Sequence, residues 1–292
     1  CMVFSPKGKE GKITTHLLDP GVLSGEIFAM CSGSILMSGT LYPPQMYADI
    51  LSLPKRLTTK TSYKSPFAGE RRPVLIAKDV TTRYNERSEV MWNRMRSHIQ
   101  ALIDGSEGHI AVFCPSYRLM EEIIGDVYFK GVKKRVESRD WSKDDIDKIV
   151  AELKTERSSG NRILLCGVFG ARLSEGIDYN DGVLGSVVCI GIPNPPPSVL
   201  SNSLKQYIAE KFGKENSWRY TVTQPAINAI LQAMGRPIRS VEDRALILLL
   251  DKRNGDRTYT NCYPKSMMMN ATNDPKTTNA FAKRFFRRVK RN

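Results

Sequence analysis

Two arginines flank a proline in "QAMGRPIRS" (232–240), and Gln232 stands one helical turn before the first of them, Arg236. A guanidinium is permanently charged and forked, so it meets phosphate oxygens two at a time. The apolar run "ALILLLDKR" (245–253) follows, and packing such a strand does not call for two arginines beside it. Pro237 pushes the residue before it out of the α region, which predicts that the helix "TQPAINAILQAMG" ends near Gly235 with Arg236 at its exit. Gln232, Arg236 and Arg239 therefore suit a polyphosphate. Salt bridges to Glu242 and Asp243 are the structural alternative.

Three further stretches carry polar chemistry at a strand end. "FCPSYRLMEEI" (113–123) leaves an apolar run through Pro115 and enters a helix at Ser116 and Tyr117, which suits a backbone phosphate or simple N-capping. "CGVFGARLSEGIDYNDG" (166–182) opens from a buried run into Arg172, Ser174, Glu175, Gly176 and Asp178. Arg172 could pair with phosphate, Asp178 could accept from a ribose or orient an arginine, and Gly176 permits close approach. A salt-bridged structural loop is the other reading. "LMSGTLYPP" (36–44) offers the hydroxyls of Ser38 and Thr40 around Gly39, a pattern many ordinary turns share. "GKEGKIT" (8–14) imitates a phosphate loop but has Pro6 and Ile13 where glycine and Ser or Thr are required. No Walker loop and no paired-acid run for Mg²⁺ occurs elsewhere, so the chain alone is not expected to hydrolyse nucleotide.

The elements that must position these groups follow from apolar patterning. Near-continuous apolar runs predict strands at "SILM" (34–37), "PVLIA" (73–77), "HIAVFC" (109–114), "RILLCGV" (162–168), "SVVCIGI" (186–192) and "ALILLL" (245–250). Helical spacing predicts helices at 117–129, with Leu119, Ile123 and Val127 on one face, and at 142–156 behind a capping Ser142. A third is expected from the prolines of "PPQMYADILSL". The alternation implies an α/β domain with a mainly parallel sheet, and such folds place ligands at the carboxyl ends of the strands. The end "FAKRFFRRVKRN" predicts an amphipathic helix with a basic outer face.

Lys and Arg number 44 against 30 Asp and Glu, a formal charge of +14 that favours polyanionic partners, nucleic acid first. The six cysteines are scattered without C-x-x-C spacing and only three histidines are present, which argues against a metal site built from this chain and for a reducing compartment. No apolar run reaches the ~18 residues of a membrane span, and the start shows no signal peptide. Opening on Cys1, the sequence reads as a piece of a longer protein.

Taken in order and spacing, "SGTLYPP", "FCPSYRLMEEI", "LCGVFGARLSEGIDY" and "QAMGRPIRS…LLLDKR" resemble motifs III to VI of the XPD/DinG branch of superfamily two helicases, its compact archaeal members most of all. Pro237 stands where that branch more often has a small residue. The resemblance covers roughly residues 17–253 and implies a RecA-like domain of the P-loop-NTPase type, the second motor of a 5′–3′ DNA helicase. It implies ATP and Mg²⁺ shared with a first motor domain, an iron–sulfur cluster in that preceding part, and work in nucleotide excision repair. Gln232, Arg236 and Arg239 would then face ATP held by the partner domain, with Glu175, Gly176 and Asp178 beside the nucleotide. Thr40, Ser116, Tyr117, Arg172 and Ser174 would contact single-stranded DNA or couple to it. The expected organisation is an entry segment (1–31), the motor domain (32–262) and a basic tail (263–292). The expected state is a monomer, off the membrane, with possible repair-complex partners, in the cytoplasm of a prokaryote or the nucleus of a eukaryote. The competing reading is a RecA-like nucleic-acid-binding or regulatory module without turnover. An RNA helicase is a third possibility, against which the S-E-G-I-D form of the fifth motif argues.

Overall fold

The computed structural model describes residues 1–7, 10–63, 65–67, 69–177, 179 and 182–289. The strands are β1 (Met2–Lys7), β2 (Glu10–Thr15), β3 (Val74–Ala77), β4 (His109–Cys114), β5 (Lys133–Val136), β6 (Ile163–Val168), β7 (Leu184–Ile190), β8 (Leu246–Leu250) and β9 (Met269–Thr272). The α-helices are α1 (Gly21–Met30), α2 (Pro44–Ile50), α3 (Glu89–Gly105), α4 (Tyr117–Ile123), α5 (Lys143–Ser158), α6 (Val199–Phe212), α7 (Lys214–Trp218), α8 (Gln224–Gly235), α9 (Arg257–Thr260) and α10 (Pro275–Val289). They fall into two compact units, Cys1–Lys64 with Asn194–Asn228, and Ser65–Pro193 with Ala229–Asn292.

The larger unit is built on a seven-stranded sheet in the order β5-β6-β4-β7-β8-β3-β9, every pair parallel. Every residue of β6, β4, β7 and β8 is buried, because crossover helices cover both faces of a parallel sheet. Val112 pairs in register with Cys166 on one side and Val188 on the other, and Val188 with Leu248. Leu102 and Met95 of α3 join Ala282 and Phe285 of α10 in the same core. Five of the six predicted strands are present within two residues of their expected ends.

Two expectations are corrected. Helix α4 stops at Ile123 instead of running to Phe129, so Val127 lies beyond it. The carbonyls that would continue the helix are taken by cations: Arg96 donates to Glu122 O and Ile123 O at 2.7 and 2.8 Å, and Lys134 to Ile124 O and Val127 O at 3.1 and 2.8 Å. "SILM" is not a strand. It lies in the smaller unit, whose described strands β1 and β2 pair with each other, and Ile35 and Met37 are exposed. Apolar residues make a strand only where a ladder partner takes the backbone groups.

In the smaller unit, Met46 of α2, Ile208 of α6 and Tyr220 form the centre of a separate apolar cluster. Pro44 opens α2 as expected. Tyr47 donates to Thr40 O at 3.3 Å, and the Ser38 and Thr40 hydroxyls lie 3.2 Å apart in an exposed turn.

Candidate nucleotide and nucleic-acid site

Because the strands are parallel, the loops that follow β6, β4, β8 and β3 all emerge at one edge of the larger unit's sheet. After β4 the chain turns at Pro115, and the Ser116 Oγ accepts from the Leu119 N–H at 3.2 Å, capping α4. The capping alternative is therefore correct for the acceptor side of this hydroxyl, while its proton stays available for donation. Ser116→Ala is expected to cost about 1 kcal/mol of stability, read as a lower denaturation midpoint. The Arg139 guanidinium stands 4.8 Å from the centroid of the half-buried Tyr117 ring. Burial and then the charge of Glu137 push the Tyr117 phenol above its ordinary value, so it remains a donor.

The loop after β6 is folded back by a residue that carries no sequence signal. Glu137 is buried, and its carboxylate accepts from Val168 N–H at 3.1 Å and Leu173 N–H at 3.2 Å. Burial raises its pKa. With Leu173 held inward, Arg172 is left on the outside, where its guanidinium donates to Trp141 O. Ser174, expected to meet the nucleic acid, is instead buried and donates to Ala171 O at 3.0 Å, bracing the loop from within. Glu175 and Gly176 are exposed. Gly176 has φ +89°, a left-handed conformation that only glycine adopts without strain, and among the described residues, its chain neighbours aside, no atom lies within 4 Å of where a Cβ would stand. Asp178 lies outside the described residues.

Helix α8 ends at Gly235 as the proline predicts, and the Arg236 and Ile238 N–H groups close a turn onto Ala233 O and Gly235 O. The Arg236 Nη1 donates to Ile177 O at 3.2 Å, so the α8 exit and the β6 loop meet. Gln232 is half-buried one turn earlier. Arg239 is exposed, and the Asp243 carboxylate accepts from the backbone N–H groups of Arg239 and Ser240, both at 2.7 Å. The loop is thereby fixed through its backbone. The structure thus gathers Gly176, Ile177 and Arg236 at one place, with Ser116, Tyr117 and Arg172 on the neighbouring β4 and β6 loops; Thr40 belongs to the smaller unit and is described there.

One cluster on this edge has only a faint trace in the sequence. Asp251, fully buried just after β8, accepts from the hydroxyls of Thr81 and Thr82 at 3.1 and 3.0 Å and from the Thr82 N–H at 2.8 Å. Arg253 reaches the same carboxylate through its N–H, Nε and Nη2 at 3.0, 2.9 and 2.7 Å. The charged ending "DKR" hints at the pair, whereas nothing marks Thr81 and Thr82, some 170 residues away in sequence. Gly191, at the end of β7 with φ +67°, allows the approach of this cluster: a Cβ there would stand 2.5 Å from Thr82 Oγ1. Among the described residues no group of three His, Cys, Asp or Glu side chains could hold a metal ion, and no helix is long and apolar enough to cross a membrane.

A parallel α/β sheet of this order, with polar loops between its strands and helices, has the architecture of a RecA-like helicase motor domain. The chain belongs to the helicase C-terminal domain family, whose model matches residues 99–270, more than half its length. It is 32% identical over 226 residues to the ATP-dependent DNA helicase XPD of Sulfolobus acidocaldarius, spanning 75% of this chain and 39% of that protein. It is 25% identical over 273 residues to the ATP-dependent DNA helicase chl-1 of Caenorhabditis elegans, 86% of this chain and 32% of the relative. A solved XPD helicase superposes with a TM-score of 0.62 at 29% identity, covering 82% of this chain and 42% of the other. The chain therefore spans well under half the length of the relatives it matches and is of the XPD type.

Proposed function

We propose that the larger unit is the second motor domain of a 5′–3′ single-stranded-DNA translocase acting in nucleotide excision repair, and that it supplies arginine fingers to ATP bound by a first motor domain. The observation that carries this reading is the contact between Arg236 and Ile177, which sets the α8 exit, just ahead of β8, beside the Gly176 loop that joins β6 to β7. The residues suit a triphosphate brought from outside: Gly176 exposed and uncrowded by the described residues beyond its chain neighbours, and Arg239 exposed on a loop whose backbone is already fixed by Asp243. Bound with Mg²⁺, ATP would supply the γ-phosphoryl whose hydrolysis drives the cycle. Gln232, Arg236 and Arg239 would orient that phosphoryl and offset its growing charge, with Glu175, Gly176 and Asp178 lining the nucleotide. An iron–sulfur cluster would belong to the preceding part of the protein.

The nucleic-acid side of the larger unit is assigned to Ser116, Tyr117 and Arg172, with Ser174 acting only as a brace; Thr40 is assigned, on the smaller unit by itself, as a further strand contact. Tyr117 offers a ring for stacking and Arg172 a charge for phosphate. The double variant Tyr117→Ala/Arg172→Ala is expected to bind a labelled oligothymidylate at least ~10-fold more weakly, one base stack alone being worth about 1–3 kcal/mol. The deciding experiment joins this chain to the first motor domain and measures ATP hydrolysis with and without single-stranded DNA and RNA. Strand-stimulated hydrolysis that prefers DNA supports the proposal; binding without any stimulated turnover replaces it with the non-enzymatic module.

A further inference from the structure

Beyond Thr81 and Thr82, which brace Asp251, the loop that follows β3 takes no part in the contacts assigned above, yet it carries chemistry of its own. A cavity of about 400 Å³ lies at its base, lined by Lys78, Arg83, Lys252, Arg253, Gly255 and Asp256. Four of these six residues are basic. Lys252 is held by Glu86 at 2.6 Å, and Arg83 lies 3.7 Å from the same carboxylate, so one acid faces two cations. Asp251 fixes the Nε and Nη2 of Arg253, while Nη1 has no acceptor among the described residues. Lys78 is exposed, and Asp256 is the acid in the lining itself.

Beside the cavity, Tyr84 is 84% exposed, with the Arg87 guanidinium 5.4 Å from its ring centroid. A ring so exposed contributes little to packing. A Cβ added at Gly191 would meet both Thr82 of this loop, at 2.5 Å, and Pro115, at 3.0 Å. The loop thus borders the Ser116–Tyr117 corner, and β8 stands two strands from β4, about 10 Å across the sheet. Fixed cations together with an unpacked aromatic face are what a single strand needs: charge for its phosphates and a platform for its bases.

We propose that this cavity binds a phosphate group of single-stranded nucleic acid, with Tyr84 stacking on a neighbouring base, so that the track crosses from α4 over β8 to β3. The inference rests on the motor-domain reading given above. Its test is the salt dependence of binding of the chain to a fluorescein-labelled oligothymidylate, measured by anisotropy. Lys78→Ala/Arg83→Ala is expected to lower the slope of log affinity against log salt by about 0.7 for each phosphate that is no longer neutralised. Tyr84→Ala is expected to weaken binding roughly 10-fold. Glu86→Gln, which releases Lys252 and Arg83 from their acid, is expected to tighten it, an outcome that a damaged fold cannot produce. An unchanged slope and affinity in the first two variants overturns the proposal, and if Tyr117→Ala/Arg172→Ala still weakens binding, the motor reading stands without it. Inorganic phosphate provides the second arm. If phosphate perturbs the wild-type amide spectrum at these residues and not the Lys78→Ala/Arg83→Ala spectrum, while oligothymidylate binding is equal in both, the cavity takes free phosphate and the strand assignment fails.

Discussion

Replacing Arg239 with alanine should lower strand-stimulated ATP hydrolysis by ~10²-fold or more in a protein that carries both motor domains, with little change in affinity for single-stranded DNA. Arginines supplied to a transferring γ-phosphoryl are worth about 10³–10⁵ in rate, or roughly 4–7 kcal/mol. Arg239 is the cleaner of the two probes. Its side chain is exposed and its loop is held by backbone bonds to Asp243, which truncation of the side chain retains. Arg236→Ala should reduce turnover comparably, but it also removes the bond to Ile177 O and so loosens the Gly176 loop. A difference between the variants in thermal midpoint, and not in turnover, is the expected signature. Arg239→Lys should recover little, because a point charge cannot make the two parallel hydrogen bonds of a guanidinium. The ratio that matters is turnover against binding: a fall in kcat with DNA affinity preserved places the group at the phosphoryl. Hydrolysis unchanged in both alanine variants would return 232–240 to a structural role and favour a binding module.

Asp251→Ala should be the most destabilising single change in the larger unit, by about 3–5 kcal/mol. The carboxylate is fully buried and accepts six hydrogen bonds, and the Arg253 side chain it faces is only 12% exposed. Removing the acid strips a mostly buried guanidinium of its carboxylate, leaving it the Thr82 hydroxyl at 2.9 Å, and leaves the two threonine hydroxyls without the acceptor they donate to, in a medium that solvates charge poorly. Arg253→Ala should cost a similar amount for the mirror reason. The double variant should cost much less than the sum of the two, because no unpaired charge remains. Burial works against ionisation of Asp251, but the bonds and charge of Arg253 and the Thr82 N–H outweigh it, holding the folded pKa below the ordinary carboxylate value. A depressed carboxylate contributes stability above its unfolded value of about 3.9, and that stability is lost as pH falls through the folded value. Denaturation followed from neutral pH downward should therefore show a pH-dependent component in the wild type that Asp251→Asn lacks. A loss below about 1 kcal/mol in Asp251→Ala would mean that the cluster does not hold this edge together.

Most of the site was legible in the sequence because its groups sit at junctions that local rules punctuate. Pro237 placed Arg236 at a helix exit, and Ser116 announced the start of α4. The central strands were legible because burial on both faces leaves an unbroken apolar run, and four of them pack every residue inside. The edge strand β5, "KKRV", and β9, "MNAT", escaped for the opposite reason: each is partly exposed and polar, and becomes a strand only because β6 or β3 offers it a ladder. "SILM" shows the converse, apolar residues without a ladder partner.

The sequence by itself determined the α/β class, the parallel sheet and the local chemistry of each junction, since hydrophobic periodicity, capping and proline act over a few residues. Only the tertiary structure decided which junctions meet. Arg236 touches the carbonyl of Ile177, 59 residues away, and Glu137 reaches across to shape the loop that exposes Arg172 and buries Ser174. Thr81 and Thr82 close on Asp251 because β3 lies beside β8 in the sheet. Strand order is fixed by the packing of helices on the sheet and by the pairing of edges, which no window of sequence contains, and the pairing of distant loops follows from it.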